Sequence, residues 1–408
     1  MRTLRSVRAL PVPVRLLLVN QLGVNTGFYL LIPYLAVHLG QDLGLSAAAV
    51  GVVLGIRNLS QQGLFIIGGS AADRLGARGV IIAGCALRTL GFALFALGDT
   101  LPVLISAAVL SGLAGALFNP AVRTYIAREA GAQKAEAFAL FNVFATTGAL
   151  AGPLLGTALM LVDFRAAALT AAGVFAVLTV AQSAALPARP VPRARTRVLG
   201  DWREVAGDHR FLAFALALVG LYVLESQLYL LLPDRARAAT GRDSAVALLF
   251  LTSTVANLTL QLRITRRLRA TASRGRPIAA GLLLMGLAFL PPLLSDGLPA
   301  LLLTVLLLHT GVMTAQPFVL ELIPAFGRAE LTGTYYGLFY VVSGLAAALG
   351  NTAVGRAMDA GGAAPWLLCC AVGLLCAAAV AALQRAGRLP APNPAPDPIP
   401  TREPSGSR

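Results

Sequence analysis

Chemistry in this sequence can only come from the few polar side chains set inside long apolar runs. Glu225 is the clearest, in Leu221-Tyr222-Val223-Leu224-Glu225-Ser226-Gln227-Leu228-Tyr229. At 3.6 residues per turn, Tyr222 and Tyr229 share its helix face. A carboxyl held in hydrocarbon is costly unless it is neutral or partnered, which makes Glu225 a candidate proton carrier. Pairing with Arg57 or with a hydroxyl is the blander alternative. Glu321 lies near the inner end of its run, where an interfacial position explains it equally well. His309 shares a face with Met313 and Gln316, and a hydrogen-bonded packing role competes with titration. Arg57 and Gln61 share a face of a second run, and Asn20, Gln21 and Asn25 lie in a first. Amides are wasteful against lipid, so these residues, with Asn119, Asn142 and Gln316, are expected in a substrate cavity or an interhelical contact. Aromatic residues such as Tyr29, Tyr222 and Tyr229 suit flat apolar substrates, although packing also accounts for them. Arg88 reads as a structural partner for carbonyls or a helix end.

Two further patterns position rather than react. Gly68-Gly69-Ser70-Ala71-Ala72-Asp73-Arg74-Leu75-Gly76-Ala77-Arg78 is a charged turn between two apolar runs. Gly69 allows a close helix approach and Gly76 a left-handed turn. Asp73, Arg74 and Arg78 could exchange ion-pair partners at a membrane surface. In Gly148-Ala149-Leu150-Ala151-Gly152-Pro153-Leu154-Leu155-Gly156, the glycines at i, i+4 and i+8 keep nearly to one helix face. Pro153 withholds a donor from the carbonyl four residues back and so kinks the helix. Generic small-residue packing is the competing explanation.

The elements that must hold these groups are membrane spans. The chain is 57% hydrophobic and 12% charged, with mean hydropathy +0.75, so most of it belongs in lipid. Apolar windows of bilayer length recur about twelve times. The first six fall at about 14–38, 46–71, 79–98, 101–122, 136–161 and 165–187. The second six fall at about 210–233, 243–263, 277–295, 299–321, 332–355 and 364–385. The net charge of +15 is not a nucleic-acid signature, because the arginines cluster in the breaks between runs. Most of the 33 basic residues fall on one side of the implied topology, placing both termini in the cytoplasm. Only Lys134 among them is a lysine, which with the Ala, Gly and Pro usage suggests a GC-rich bacterial genome. Cys85, Cys369, Cys370 and Cys376 lie in apolar runs without metal-ligand spacing, so neither a disulfide nor a metal is implied. Arg2, Arg5 and Arg8 precede a run too long for a cleaved signal, which reads as a retained first span.

The Pro-rich basic stretch 188–209 is a cytoplasmic central loop dividing an N-terminal six-helix bundle (1–187) from a C-terminal one (210–386). The residues from 387 to 408 form a Pro-rich tail expected to be disordered. The halves echo one another: Gly148, Gly152 and Gly156 against Gly344, Gly350 and Gly355, with Asp163 and Asp359 following. The charged turn has only a degenerate counterpart at Arg263–Arg276, rich in arginine and without an acid.

On these residues the chain resembles the twelve-span drug:proton antiporters of the major facilitator superfamily. The charged turn resembles the signature loop between the second and third spans, and Gly148–Gly156 resembles the antiporter motif, with Thr157 in place of a second Gly. Gly55–Gly63, Leu87–Phe92 and Leu110–Pro120 follow in the order and spacing of the family. The resemblance implies an all-α integral membrane fold of twelve helices in two pseudo-symmetric bundles, its cavity lined by the first, fourth, seventh and tenth spans. Two departures matter: Ala108 stands where the family often has a fourth-span Arg, and Asn20 where a related drug exporter has an acid.

The expected function is proton-coupled efflux of amphipathic small molecules, drugs or secondary metabolites, by alternating access in a bacterial cytoplasmic membrane. Asp73, Arg74 and Arg78 would stabilise the outward-facing state. The partners are a small-molecule substrate, protons and the bilayer, with no cofactor and no nucleic acid, and the chain is expected to act as a monomer. A proton-coupled importer of a small metabolite is the alternative, though its cavity should carry several matched charges. An enzyme would need a converging nucleophile, base or metal cluster, and His38, His209 and His309 are scattered without HExxH or CxxC. A receptor's appended soluble domain is absent from the pattern.

Overall fold

The computed structural model describes residues 2–45, 47–189, 198–242, 244–269 and 273–390. The tail from 391 onward, and residues 190–197 of the central loop, lie outside them. All regular structure among the described residues is helical, and ten helical segments there are long and apolar enough to cross a membrane. Adding Val12–Val37 and Ala47–Gln62, and dividing the Phe65–Leu97 segment at the charged turn so that Phe65–Ala71 completes the second span, the helices follow in the order expected for twelve spans.

The N-terminal six are Val12–Val37, Ala47–Gln62 with Phe65–Ala71, Ala77–Leu97, Leu101–Glu129, Lys134–Met160 and Phe164–Ala185. The C-terminal six begin with His209–Thr240, Ser244–Arg269 and Gly275–Leu294. They end with Leu298–Leu322, Thr332–Ala360 and Ala364–Arg385. Local chemistry sets several ends. The Asp163 carboxylate caps the sixth span at Ala166 N, and that of Asp208 caps the seventh at Arg210 and Phe211 N. Proline in the first turn opens the fourth, tenth and twelfth spans, where no intrahelical donor is lost.

Packing is alike in the two halves. The first span lies on the fifth, the third on the fourth and sixth, and the second on the fourth. In the same way the seventh lies on the eleventh, the ninth on the tenth and twelfth, and the eighth on the tenth. Between halves the second and fourth spans meet the eleventh, and the fifth meets the eighth and tenth. In lipid such contacts depend on close van der Waals approach rather than on the hydrophobic effect, so small residues dominate them. The antiporter-like glycines show this directly. A Cβ at Gly148 would strike the Leu22 carbonyl, one at Gly152 would lie 2.7 Å from Tyr29 Cβ, and one at Gly156 would strike the Leu30 carbonyl. All three seat the fifth span on the first.

Three departures from the expected spans have physical causes. The second span breaks at Gly63-Leu64, between Gln62 and Phe65. The seventh loses regular α-geometry at Ser226–Leu228, directly after Glu225. There the Ser226 hydroxyl and the Gln227 amide both turn back to the Val223 carbonyl. The central loop is not simply polar coil: Val198–Gly207 is a helix that buries Asp201 and Val205 on one face.

Candidate functional site

The charged turn joins the two halves. The eleventh span begins at Thr332 without a side-chain cap of its own, leaving its first N–H groups orphaned. Asp73 supplies the cap from the other half. Its carboxylate accepts from Gly333 N at 2.8 Å, from Thr334 N at 2.7 Å and from the Thr334 hydroxyl at 2.9 Å. An anion there also meets the positive end of the helix dipole. Gly69 and Gly333 make the approach possible, because a Cβ on either would strike the other's carbonyl. Gly76 adopts φ +88°, so the turn uses the freedom expected of it.

The arginines of the turn do not exchange partners around Asp73. Arg74 pairs with Asp201 of the connecting helix, and Arg78 donates to the Ser183 and Leu186 carbonyls at the end of the sixth span. The cation beside Asp73 is Arg128 of the fourth span, at 3.1 Å. Trp202 of the connecting helix donates to the Ser70 hydroxyl at 2.6 Å, tying that helix to the same turn.

A second latch closes the pseudo-equivalent position. Glu136, in the first turn of the fifth span, binds Arg266 at 3.1 Å and Arg269 at 2.6 Å, both from the end of the eighth. The missing acid of the degenerate second turn is therefore found on the helix it meets. Sequence reasoning passed over Glu136, Arg128 and Thr334; the signal was the arginine excess of one turn beside an acid opening a helix in the opposite half.

The inner faces hold the remaining candidates. Glu225 is half-buried, with no ion pair or hydrogen bond among the described residues, so it does not pair with Arg57. Tyr29, Tyr222, Tyr229 and Tyr340 lie within electrostatic reach of it. Tyr229 is exposed and packs with its ring centroid 5.5 Å from that of Phe250. Behind Glu225, the Asn351 side chain of the eleventh span accepts from Ser226 at 2.6 Å and from Gln227 at 3.0 Å. The break in the seventh span is thus anchored at its back while its acid stays free. Asn142 donates to Gln316 at 2.7 Å, bridging the fifth and tenth spans. Arg123, another residue missed in the sequence, donates to the Asn119 carbonyl and lies 4.8 Å from the Tyr340 ring centroid across the interface.

Other candidates settle into structural contacts. Gln21 donates to Asn25, which donates to the Ala145 carbonyl, so this pair is an interhelical contact of the first and fifth spans. Glu321, near the end of the tenth span, is buried beside Arg274, whose Nε approaches to 2.9 Å and whose Nη2 donates at 3.3 Å. His309 Nδ1 contacts the Val305 carbonyl of its own helix at 3.1 Å, the packing reading. Thr157 answers its departure from the motif, since its hydroxyl pairs with Tyr34 at 2.7 Å and both hydroxyls donate to the Pro153 carbonyl or one another. Asn20 is buried with its side chain against the Cys85 thiol of the third span. Arg57 donates to Asn58 at 2.6 Å and reaches Gln61 at 3.5 Å.

Comparison with known proteins agrees with this architecture. The profile of the Major Facilitator Superfamily matches residues 17–351. An uncharacterized MFS-type transporter of Mycobacterium tuberculosis is 43% identical over 361 residues, 85% of this chain and 86% of that protein. Multidrug resistance protein MdtH of Proteus mirabilis is 31% identical over 365 residues, 88% of this chain and 91% of that protein. The fold is similar to that of the E. coli fucose:proton symporter FucP, with TM-score 0.73 and 15% identity over 92% of this chain and 98% of that one. The chain belongs to the Major Facilitator Superfamily, as a multi-pass membrane transporter of small molecules and not an enzyme.

Proposed function

We propose that this transporter exports amphipathic small molecules, using proton entry and alternating access between the two halves. The observation that carries the reading is Glu225: a carboxylate without a partner, at the break in the seventh span, facing Tyr29 and Tyr229. A proton can arrive and leave there without first breaking an ion pair, and each protonation state favours a different packing of the break. Glu321 and His309 are the weaker proton candidates, since both already have partners. The fifth-span glycine motif and relatives bearing the name multidrug resistance protein support export over import.

In this reading the latched, arginine-rich end faces the cytoplasm with both termini, in a bacterial cytoplasmic membrane, and the protein works as a monomer. Asp73, Gly69 and Gly76 gate that side, while Arg74 and Arg78 hold the turn to its neighbours. The cavity candidates are Tyr29, Arg57, Gln61, Asn119, Asn142, Tyr222, Tyr229 and Gln316.

Dye and antibiotic efflux from cells expressing the native chain or Glu225→Gln, with and without a protonophore, tests this. Protonophore-sensitive efflux that falls at least about tenfold in Glu225→Gln is the expected result, the size typical of losing a proton-transfer group. Unchanged efflux in Glu225→Gln at equal membrane abundance removes Glu225 from the coupling role.

A further inference from the structure

The N-terminal half contains a buried positive charge that no carboxylate pairs with among the described residues. Arg88, on the third span, is 5% exposed. Its guanidinium lies 5.8, 5.4 and 5.6 Å from the ring centroids of Phe28, Phe118 and Phe175. Its Nε has no hydrogen-bond partner, and no carboxylate pairs with it among the described residues. Arg57, on the second span, stands 5.1 Å from the same Phe28 ring, and the two guanidiniums are within electrostatic reach of each other. Among the described residues its hydrogen bonds go to the neutral side chains of Asn58 and Gln61.

Polar side chains lie on the neighbouring turns. Asn20, on the first span, is 1% exposed and set against the Cys85 thiol, one turn before Arg88. Ser111, on the fourth span, is also 1% exposed, and its hydroxyl is unsatisfied among the described residues. Its backbone nitrogen packs 3.0 Å from the Cβ position of Gly91, one turn after Arg88. The second and third spans thus bring two cations to one phenylalanine of the first.

Aromatic faces can hold a guanidinium by cation–π attraction, but they do not cancel its charge. Two like charges sharing one ring in a low-dielectric interior leave a strong local demand for an anion. A guanidinium is also the side chain whose fork fits a planar carboxylate or a sulfonate by paired charge-assisted hydrogen bonds. We propose that Arg57 and Arg88 receive the anionic group of the substrate, and that its apolar body lies against Phe28 and Tyr29. The transported class is then amphipathic organic anions, namely arylcarboxylates or arylsulfonates. This deepens the export reading and rests on it for the direction of transport only.

Binding to the purified full-length protein in lipid nanodiscs separates the two. The probes are a radiolabelled naphthalene carboxylate, its uncharged primary amide and the corresponding naphthylmethylammonium, measured by equilibrium dialysis in gluconate buffer. The carboxylate should bind about tenfold or more tightly than either analogue. Arg57→Gln should remove most of that preference, and Arg88→Gln should abolish it. Because Arg88→Gln removes a buried side chain, Arg88→Lys is the folding control and should keep part of the preference through its charge. Equal affinity for carboxylate and amide overturns the proposal, as does an unchanged carboxylate affinity in Arg57→Gln. A chloride arm identifies an inorganic occupant: saturating competition by chloride at saline concentration assigns the site to a simple anion and overturns the substrate role. Selective carboxylate binding without cellular efflux upholds the site and defeats the export reading. Efflux of dyes with no anion preference does the reverse.

Discussion

The two latches at the arginine-rich end occupy pseudo-equivalent places and work with opposite polarity. In the first, the acid is on the turn, and Asp73 caps the bare start of the eleventh span. In the second, the cations come from the turn side, and the acid is Glu136 at the start of the fifth span. The first is buried, short-ranged and backed by a Gly69–Gly333 backbone contact. The second is a side-chain pair whose arginines are about one third exposed. A helix N-terminus accepts an acid whether that acid is its own or a neighbour's, so either arrangement closes the same gap. The glycine approach sets the position of the first latch, whereas charge alone carries the second.

That contrast can be broken most forcefully at the glycines. Gly69→Leu places a side chain into the Gly333 carbonyl, an overpacking cost of about 1–3 kcal/mol that falls wholly on the closed end. The closed-to-open ratio should then fall by roughly 5- to 150-fold. Hydrogen exchange at the first-turn amides of the eleventh span reads this as lost protection, and efflux should nearly vanish. Retained protection would show that the second latch alone holds the end shut.

Asp73→Asn should have a smaller effect. It keeps an acceptor for the helix start but loses the charge facing the dipole and Arg128, about 1–2 kcal/mol. Exchange at Gly333 and Thr334 should rise while the fifth-span amides stay protected. Glu136→Gln comes next, at about 1 kcal/mol for a partly exposed pair. Adding Arg266→Gln to it should cost little more, since both changes remove the same contact, whereas Arg269→Gln also gives up a hydrogen bond to the Ala132 carbonyl. Full additivity in that thermal-stability cycle would mean that Arg266 stabilises the end through other partners. Arg328→Gln, which breaks the surface pair with Glu204 of the connecting helix, should cost under about 1 kcal/mol. A larger loss of efflux there would assign the connecting helix a part in closure.

Several elements are legible in the amino-acid sequence. Spans declare themselves by apolar length, and the glycines at 148, 152 and 156 declare a face because helical periodicity is local. Gly69, Asp73 and Gly76 are legible as one turn by their spacing; Gly69 and Asp73 meet Gly333 of the other half. What each charge touches is not legible. Arg74 and Arg78 are expected around Asp73 and instead hold the connecting helix and the sixth span. Glu321 gives no sign in the sequence that Arg274 is its partner. The connecting helix escapes a sequence reading because its apolar face is short, and only docking against the turn gives that face a partner.

The sequence by itself determined the membrane class, the twelve spans, their pairing into like halves and the rarity of charge inside them. These follow from composition and from periodicities no longer than one helix. Tertiary structure alone decided that Glu136 answers Arg266 and Arg269, that Asp73 caps a helix more than two hundred residues away, and that Arg57 and Arg88 share one phenylalanine. Pairing between distant residues depends on which helix faces meet across the bundle. A one-dimensional pattern fixes the face of each helix but not the neighbour it turns toward.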